Sequence, residues 1–206
     1  MKNKRIKETL DDTFSDLKLF YRDTNFTDNL IEKYKVGQII KEISFTDMTS
    51  IGGGLSGNFR YLIASANAKD ISKFNPGSAK TGHFLLDEIT FFKVLDIQKI
   101  NTKTQVFLLH IPDNSLSLFK NSTSNIEEEI TEKARQKFIS KINSPLIPEL
   151  QTEEWKERTK SPIGMNDQGE MFFDDSTIKT EKPKRIEINA KKKTIEINKK
   201  PWWKIW

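Results

Sequence analysis

The chain has 206 residues, 35% of them hydrophobic and 31% charged, which is enough for one ordinary domain with a modest core plus an appendage. It has no cysteine, so disulfides and thiolate chemistry are excluded, and its two histidines argue against a histidine-rich metal site. The net charge of +5 is uneven: residues 179–206 carry ten Lys or Arg against three Glu, a balance of +7, which leaves −2 for the rest. This is a basic tail on a nearly neutral domain, and a wholly basic nucleic-acid-binding fold is not what it describes.

The N-terminal residues are basic but no apolar run follows them, so no cleavable signal peptide is expected. No stretch approaches the ~20 apolar residues needed to cross a bilayer. The expected location is the cytoplasm, or outside the cell by a route that reads no N-terminal signal.

Ile6, Leu10, Phe14 and Leu17 recur at helical spacing and predict a first amphipathic helix. "LKLFYRD" then reads as extended. Thr27 or Asp28 can cap a short helix that Gly37 ends, and "QIIKEISF" reads as a strand. After the glycine loop "TSIGGGLSG" comes the strand "NFRYLIAS", then a long irregular connection, then "HFLLDE", "FFKVLDIQKI" and "TQVFLLHI". Asn101 and Thr102 sit at the tip of a hairpin turn between the last two. Ser124 or Asn125 caps a charged helix in which Ile126, Ile130, Ala134, Phe138 and Ile142 fall near one face. Beyond it the chain turns polar, with Pro and Gly punctuation, and reads as a linker with short docked pieces. "IEIN" occurs at 186–189 and again at 195–198, which suits a two-stranded hairpin that needs something to pack on. "KKPWWKIW" closes the chain.

The expected fold is α+β: a mixed, mostly antiparallel core of two small sheets, followed by a C-terminal helix and a basic β-hairpin tail. The expected division is 1–115 for the main domain, 116–143 for the amphipathic helix, 144–180 for the linker and 181–206 for the hairpin and Trp-rich tail.

Three segments carry a resemblance. Tyr21-Arg22 stands on a predicted strand with Asp23 after it. Phe45 precedes Met48-Thr49-Ser50, and "HFLLDEITFFKVLDI" is followed by a strand hairpin. Their order and spacing over residues 17–112 resemble the toxin-type branch of the ADP-ribosyltransferase fold, whose signature is Arg, Ser-Thr-Ser and Glu-x-Glu. The resemblance implies NAD as cofactor and no metal. It implies Tyr21 and Arg22 at the NAD phosphate or ribose, with Thr49 and Ser50 bracing the site and Met48 in place of the first serine. The Glu-x-Glu glutamates fall on Thr81 and His83. Cleaving the nicotinamide–ribose bond develops positive charge on the ribose, which a carboxylate stabilises and an imidazole does not. Either the site is degenerate at His83, or the register shifts and Glu88 or Asp87 supplies the charge.

Each feature has a plainer reading. Arg22 suits a surface ion pair, Thr49 and Ser50 suit turn chemistry, and His83 suits an ordinary strand edge. Gly52–Gly54 form a flexible turn rather than a phosphate cradle, since they fit no P-loop spacing. Trp202, Trp203 and Trp206 suit an aromatic anchor on a protein partner or on the chain's own body. A membrane-interface anchor and a stacking platform for single-stranded nucleic acid are the weaker readings. The functions expected are an ADP-ribosyltransferase-like toxin or effector domain with weak, altered or no NAD-dependent transfer, or a non-catalytic immunity, adaptor or assembly protein that binds through its tail.

Overall fold

The structure is a computed structural model, and it describes residues 2–120, 122–179 and 184–186. Its strands are β1 (Lys18–Thr24), β2 (Ile39–Glu42), β3 (Thr46–Thr49), β4 (Phe59–Ser65), β5 (Lys69–Asp70), β6 (His83–Leu86), β7 (Thr90–Ile100), β8 (Lys103–Ile111), β9 (Ser122–Ser124) and β10 (Lys184–Ile186). Its α-helices are α1 (Lys2–Phe14), α2 (Asp28–Ile31), α3 (Leu116–Phe119), α4 (Asn125–Lys141) and α5 (Glu153–Thr159).

Eight strands hydrogen-bond in the order β2-β7-β8-β4-β1-β3-β6-β5, with β4–β8 the one parallel pair among them. The sheet has a weak seam. β1 pairs with β4 along its whole length, but with β3 only at Tyr21–Thr49. The result is the expected mixed, mostly antiparallel α+β core: a five-stranded half, β2-β7-β8-β4-β1, and a three-stranded half, β3-β6-β5, hinged at one rung.

Period-two alternation sorts the side chains. On β4, Phe59, Tyr61 and Ile63 enter one cluster with Phe20, Met48, Leu86, Val106 and Leu108, between the two halves. Leu62 and Ala64 enter the other with Leu17, Tyr21, Phe107 and Leu109, beneath Ile130 and Ala134 of α4. Being buried on both faces, β4 reads as the apolar run "FRYLIA" interrupted by one charge, Arg60. Ser124 caps α4 by accepting the Glu127 amide at 3.2 Å. Gly37 takes φ +84° and Asn101 takes φ +54°, left-handed turn conformations that glycine and asparagine adopt most readily.

The expected linker contributes core. α5 buries Trp155, and Ile163 and Met165 are 1% exposed within the first cluster. Helix α1 stops at Phe14, while Leu17 joins the second cluster as the chain enters β1. β10, at the start of the first "IEIN" copy, pairs in parallel with β9. The rest of the expected hairpin and the Trp-rich end lie outside the described residues.

Candidate functional site

The single contact between β1 and β3 aligns three strands. Tyr21 pairs with Thr49, and Thr49 pairs with His83. Residues directly opposite in a ladder point to the same face, so Tyr21, Thr49 and His83 form one rung across the seam. Asp47, two residues before Thr49, shares that face. Its Oδ1 lies 2.7 Å from His83 Nε2. Thr49 Oγ1 donates to the Thr81 carbonyl at 2.5 Å and accepts the Ile51 amide at 2.9 Å. Ser50 binds the Gly82 carbonyl through its amide (2.9 Å) and its hydroxyl (3.3 Å). The hydroxyls of "MTS" therefore brace the backbone of Thr81 and Gly82.

On the same face, Arg60 forms a bidentate pair with Asp23, Nε to Oδ1 at 2.6 Å and NH2 to Oδ2 at 2.7 Å. It also donates to the carbonyls of Gly53 (3.1 Å) and Gly54 (3.0 Å). Its guanidinium lies 5.2 Å from the Tyr21 ring centroid. Burial pushes the Tyr21 phenol up to about 12, with Arg60 opposing.

Adjacent residues of a strand face opposite sides, so Arg22 leaves this face. It is 5% exposed and donates from NH1 to the Asp47 carbonyl (3.3 Å) and from NH2 to the Ser161 carbonyl (2.8 Å). Burial lowers its pKa below the usual arginine value, against the pull of Tyr61, Asp47 and Glu42. Tyr34 and Tyr61 share a hydroxyl–hydroxyl bond beside it. Tyr34 also donates to the Ile163 carbonyl at 2.8 Å, so the Tyr61 hydroxyl donates to Tyr34 while accepting the Ile163 amide at 3.0 Å. Glu42 accepts the Gly164 amide at 2.8 Å.

Glu88 is exposed in the turn beyond the far end of β6, away from the rung. Asp87 beside it pairs with Lys69 on the surface at 2.5 Å. The carboxylates near the rung are Asp47 and Asp23. Asp47 could have been found by counting back two from Thr49 on an alternating strand. Trp155 could not, because nothing local tells a strand residue which distant helix will cover it. Among the described residues no cluster of three or more His, Cys, Asp or Glu could hold a metal, and no helix is long and apolar enough to cross a membrane.

The chain fills the cleft itself. Ile147, Leu150, Gln151 and Trp155 lie over Tyr21, Thr49, Gly53, Gly54 and Arg60, leaving a cavity of about 10 Å³. The Trp155 ring stands edge-on to His83, centroids 5.3 Å apart. Arg158 approaches Asp47 to 3.8 Å, and Thr159 Oγ1 donates to the Asp23 carbonyl at 3.2 Å. Gly54 is glycine for space: a Cβ there would sit 1.9 Å from the Ser144 carbonyl oxygen.

Solved ADP-ribosyltransferases are among the structures this chain is similar to. HopU1, an ADP-ribosyltransferase of Pseudomonas syringae pv. Tomato DC3000, matches at a TM-score of 0.39 and 19% identity, over 46% of this chain and 45% of that one. The type III effector XopAI from Xanthomonas axonopodis pv. citri matches at 0.41 and 17%, over 49% and 44%. C3stau2 from S. aureus, solved with NAD, matches at 0.37 and 14%, over 48% and 63%. The match spans under half of HopU1 and XopAI. No protein-family model matches the chain, and no curated protein does. Likenesses of this extent assign no activity, so the case for function rests on the rung and on what covers it.

Proposed function

We propose that the chain is an ADP-ribosyltransferase-like domain whose site is altered so that NAD-dependent transfer is lost or reduced to a trace. The supporting observation is the Tyr21–Thr49–His83 rung. At the place where the resemblance calls for glutamate, the structure has an imidazole bonded to Asp47 and faced by Trp155. Transfer from NAD needs a preorganised negative charge beside the ribose as the glycosidic bond breaks. Losing one such group typically costs about 3–4 kcal/mol, roughly a hundred- to a thousandfold in rate. Asp47 does not substitute for it, because its carboxylate is already engaged by His83 and neighboured by Arg158. Arg22, the anchor the resemblance assigns to the phosphates, spends two donors on backbone carbonyls at the opposite face of β1. Incubating the intact chain with labelled NAD and candidate acceptor proteins tests the reading. Label on any protein should stay at background, and transfer that Thr49→Val removes would overturn it.

A second reading follows from the same closed cleft: the protein acts through a partner. β10 is held against β9, and Arg185 pairs with Glu128 at 3.2 Å, so the base of the basic tail is fixed to the domain. Trp202, Trp203 and Trp206 then serve as anchors for a protein partner, in an immunity, adaptor or assembly role. Deleting residues 201–206 should abolish capture of that partner while the fold persists. Capture that collapses steeply with salt would indicate a nucleic acid instead.

A further inference from the structure

The outer edge of β7 is only half used. β2 pairs with it from Thr90 to Lys93. The bonds between the two strands end at Val94, with Gly37 N to the Val94 carbonyl at 2.8 Å and Val94 N to the Gln38 carbonyl at 2.9 Å. The chain before Gly37 leaves the edge, and Tyr34 is buried in the first cluster. From Leu95 to Ile100, beyond a bulge at Leu95, β7 bonds to β8 alone among the described residues. Such an edge presents a row of backbone donors and acceptors to any strand laid beside it.

A groove of about 530 Å³ opens at this point, between Val36 and Leu95 on one side and α4 on the other, with Thr123 of β9 at the end where α4 begins. The buried Lys93–Glu127 pair lines it and is mutually neutralised, whereas Glu128 and Glu132 are exposed along the α4 side. Val36 is 63% exposed at its margin. Gln98, further along the same edge, has a buried Oε1 with no hydrogen-bond partner among the described residues.

The segment that follows β10 suits this groove. β10 lies beside β9 and ends at Ile186, and Arg185 is already paired with Glu128 on the groove wall at 3.2 Å. Lys191, Lys192 and Lys193 come next, then Ile195 and Ile197 alternating with Glu196 and Asn198. The lysines complement Glu128 and Glu132, and the alternation is that of a strand with one apolar face, matched to Val36 and Leu95. Reach is sufficient. The eight residues between Ile186 and Ile195 span up to about 26 Å, and α4 advances about 12 Å from Glu127 to Arg135. A second copy is the poorer occupant, because the bulge at Leu95 and the exposed Lys99 disfavour edge-to-edge pairing. Attachment at β10 also gives the tail a high local concentration at the groove.

We propose that residues 195–198, the second "IEIN" copy, dock in this groove as a strand on the free edge of β7, with Lys191–Lys193 against the acidic flank of α4. The two copies then pair with different strands, β9 and β7, instead of with each other. Trp202, Trp203 and Trp206 lie beyond the docked strand. The assignment depends on neither functional reading above.

A nitroxide attached at Asn198→Cys tests this in the full chain, which has no other cysteine. In dilute solution it should broaden the amide signals of Val36, Leu95 and Thr131 around the groove and spare Lys69 and Asp70 of β5, at the far end of the sheet. Adding Glu128→Lys and Glu132→Lys should restore the broadened signals. Groove signals that stay sharp would overturn the proposal. So would broadening passed from a labelled chain to an unlabelled one, which would place a second copy in the groove. Amide exchange gives an independent readout. Ile195→Asp with Ile197→Asp should speed the amides of Leu95–Ile100 that β8 does not bind by at least about tenfold, with β4 unchanged as the sign of an intact fold. Equal rates in the variant and the parent chain would contradict the docking.

Discussion

His83 Nε2 stands 2.7 Å from Asp47 Oδ1 on the outer face of the three-stranded half-sheet, under the edge of Trp155. The pair joins the site to its cover, because Asp47 also faces Arg158 of α5. Asp47→Asn and His83→Gln should each destabilise the chain by about 1–3 kcal/mol, the cost of unpairing a largely buried polar partner. The double variant should cost less than the sum. Urea unfolding of all four proteins measures the coupling, and Trp155 fluorescence reports whether α5 shifts.

The Tyr34–Tyr61 pair ties residues 163–164 to the sheet. Tyr61→Phe removes the donor to Tyr34 and leaves the Ile163 amide without its acceptor. It should cost about 1–3 kcal/mol, with the volume of the ring preserved. A drop in the thermal midpoint with the far-ultraviolet spectrum retained is the expected result.

Lys93 and Glu127 form a buried ion pair, Nζ to Oε2 at 2.7 Å, with side chains 4% and 6% exposed. Lys93 also donates to the Ser122 carbonyl, which positions β9. Burial raises the Glu127 carboxyl and Lys93 pulls it back down. Lys93→Met should cost about 3–5 kcal/mol by stranding the carboxylate, whereas Lys93→Met with Glu127→Leu should come close to neutral. Chemical denaturation of the single and double variants distinguishes these outcomes.

His110 gives stability a pH dependence of known sign. Burial lowers its pKa from 6.5 to about 4, and its Nδ1 sits 2.9 Å from Ser65 Oγ. Between those values the unfolded chain binds a proton that the folded chain refuses. The contribution is therefore complete above about pH 6.5 and is lost as pH falls toward 4, up to about 3 kcal/mol in all. Carboxylates titrate in the lower part of this window, so the comparison is between the wild type and His110→Gln. The wild type should lose more stability between pH 7.5 and 4.5 than the variant does.

β1, β2, β4, β6, β7 and β8 were legible because each carried a local signal, whereas the short β3, β5 and β9 carried none. β4 is a long apolar run, β7 and β8 flank an Asn-Thr turn, and α4 follows a serine cap. The rung was legible in part. Thr49 and His83 were singled out from motif order, and their pairing across β3 and β6 places them side by side. Assigning Tyr21 and Arg22 to one role ignored strand alternation, which sends neighbouring side chains to opposite faces. Trp155 was hidden for another reason: "TEEWKERT" falls in the stretch read as a polar linker, and only the three-dimensional return of the chain over the β1–β3 seam buries its indole. Asp47 lies between Phe45 and Met48 of the second segment, but a lone acid on a short strand gives no sign of its partner until β6 is in register.

The central claim is that an imidazole, held by Asp47 and covered by the chain's own segment, stands where NAD chemistry needs a carboxylate. Nicotinamide release from NAD by the purified intact chain tests it most directly. The predicted rate is indistinguishable from that of NAD in buffer. Steady release that disappears in Asp47→Asn or His83→Ala would contradict the account.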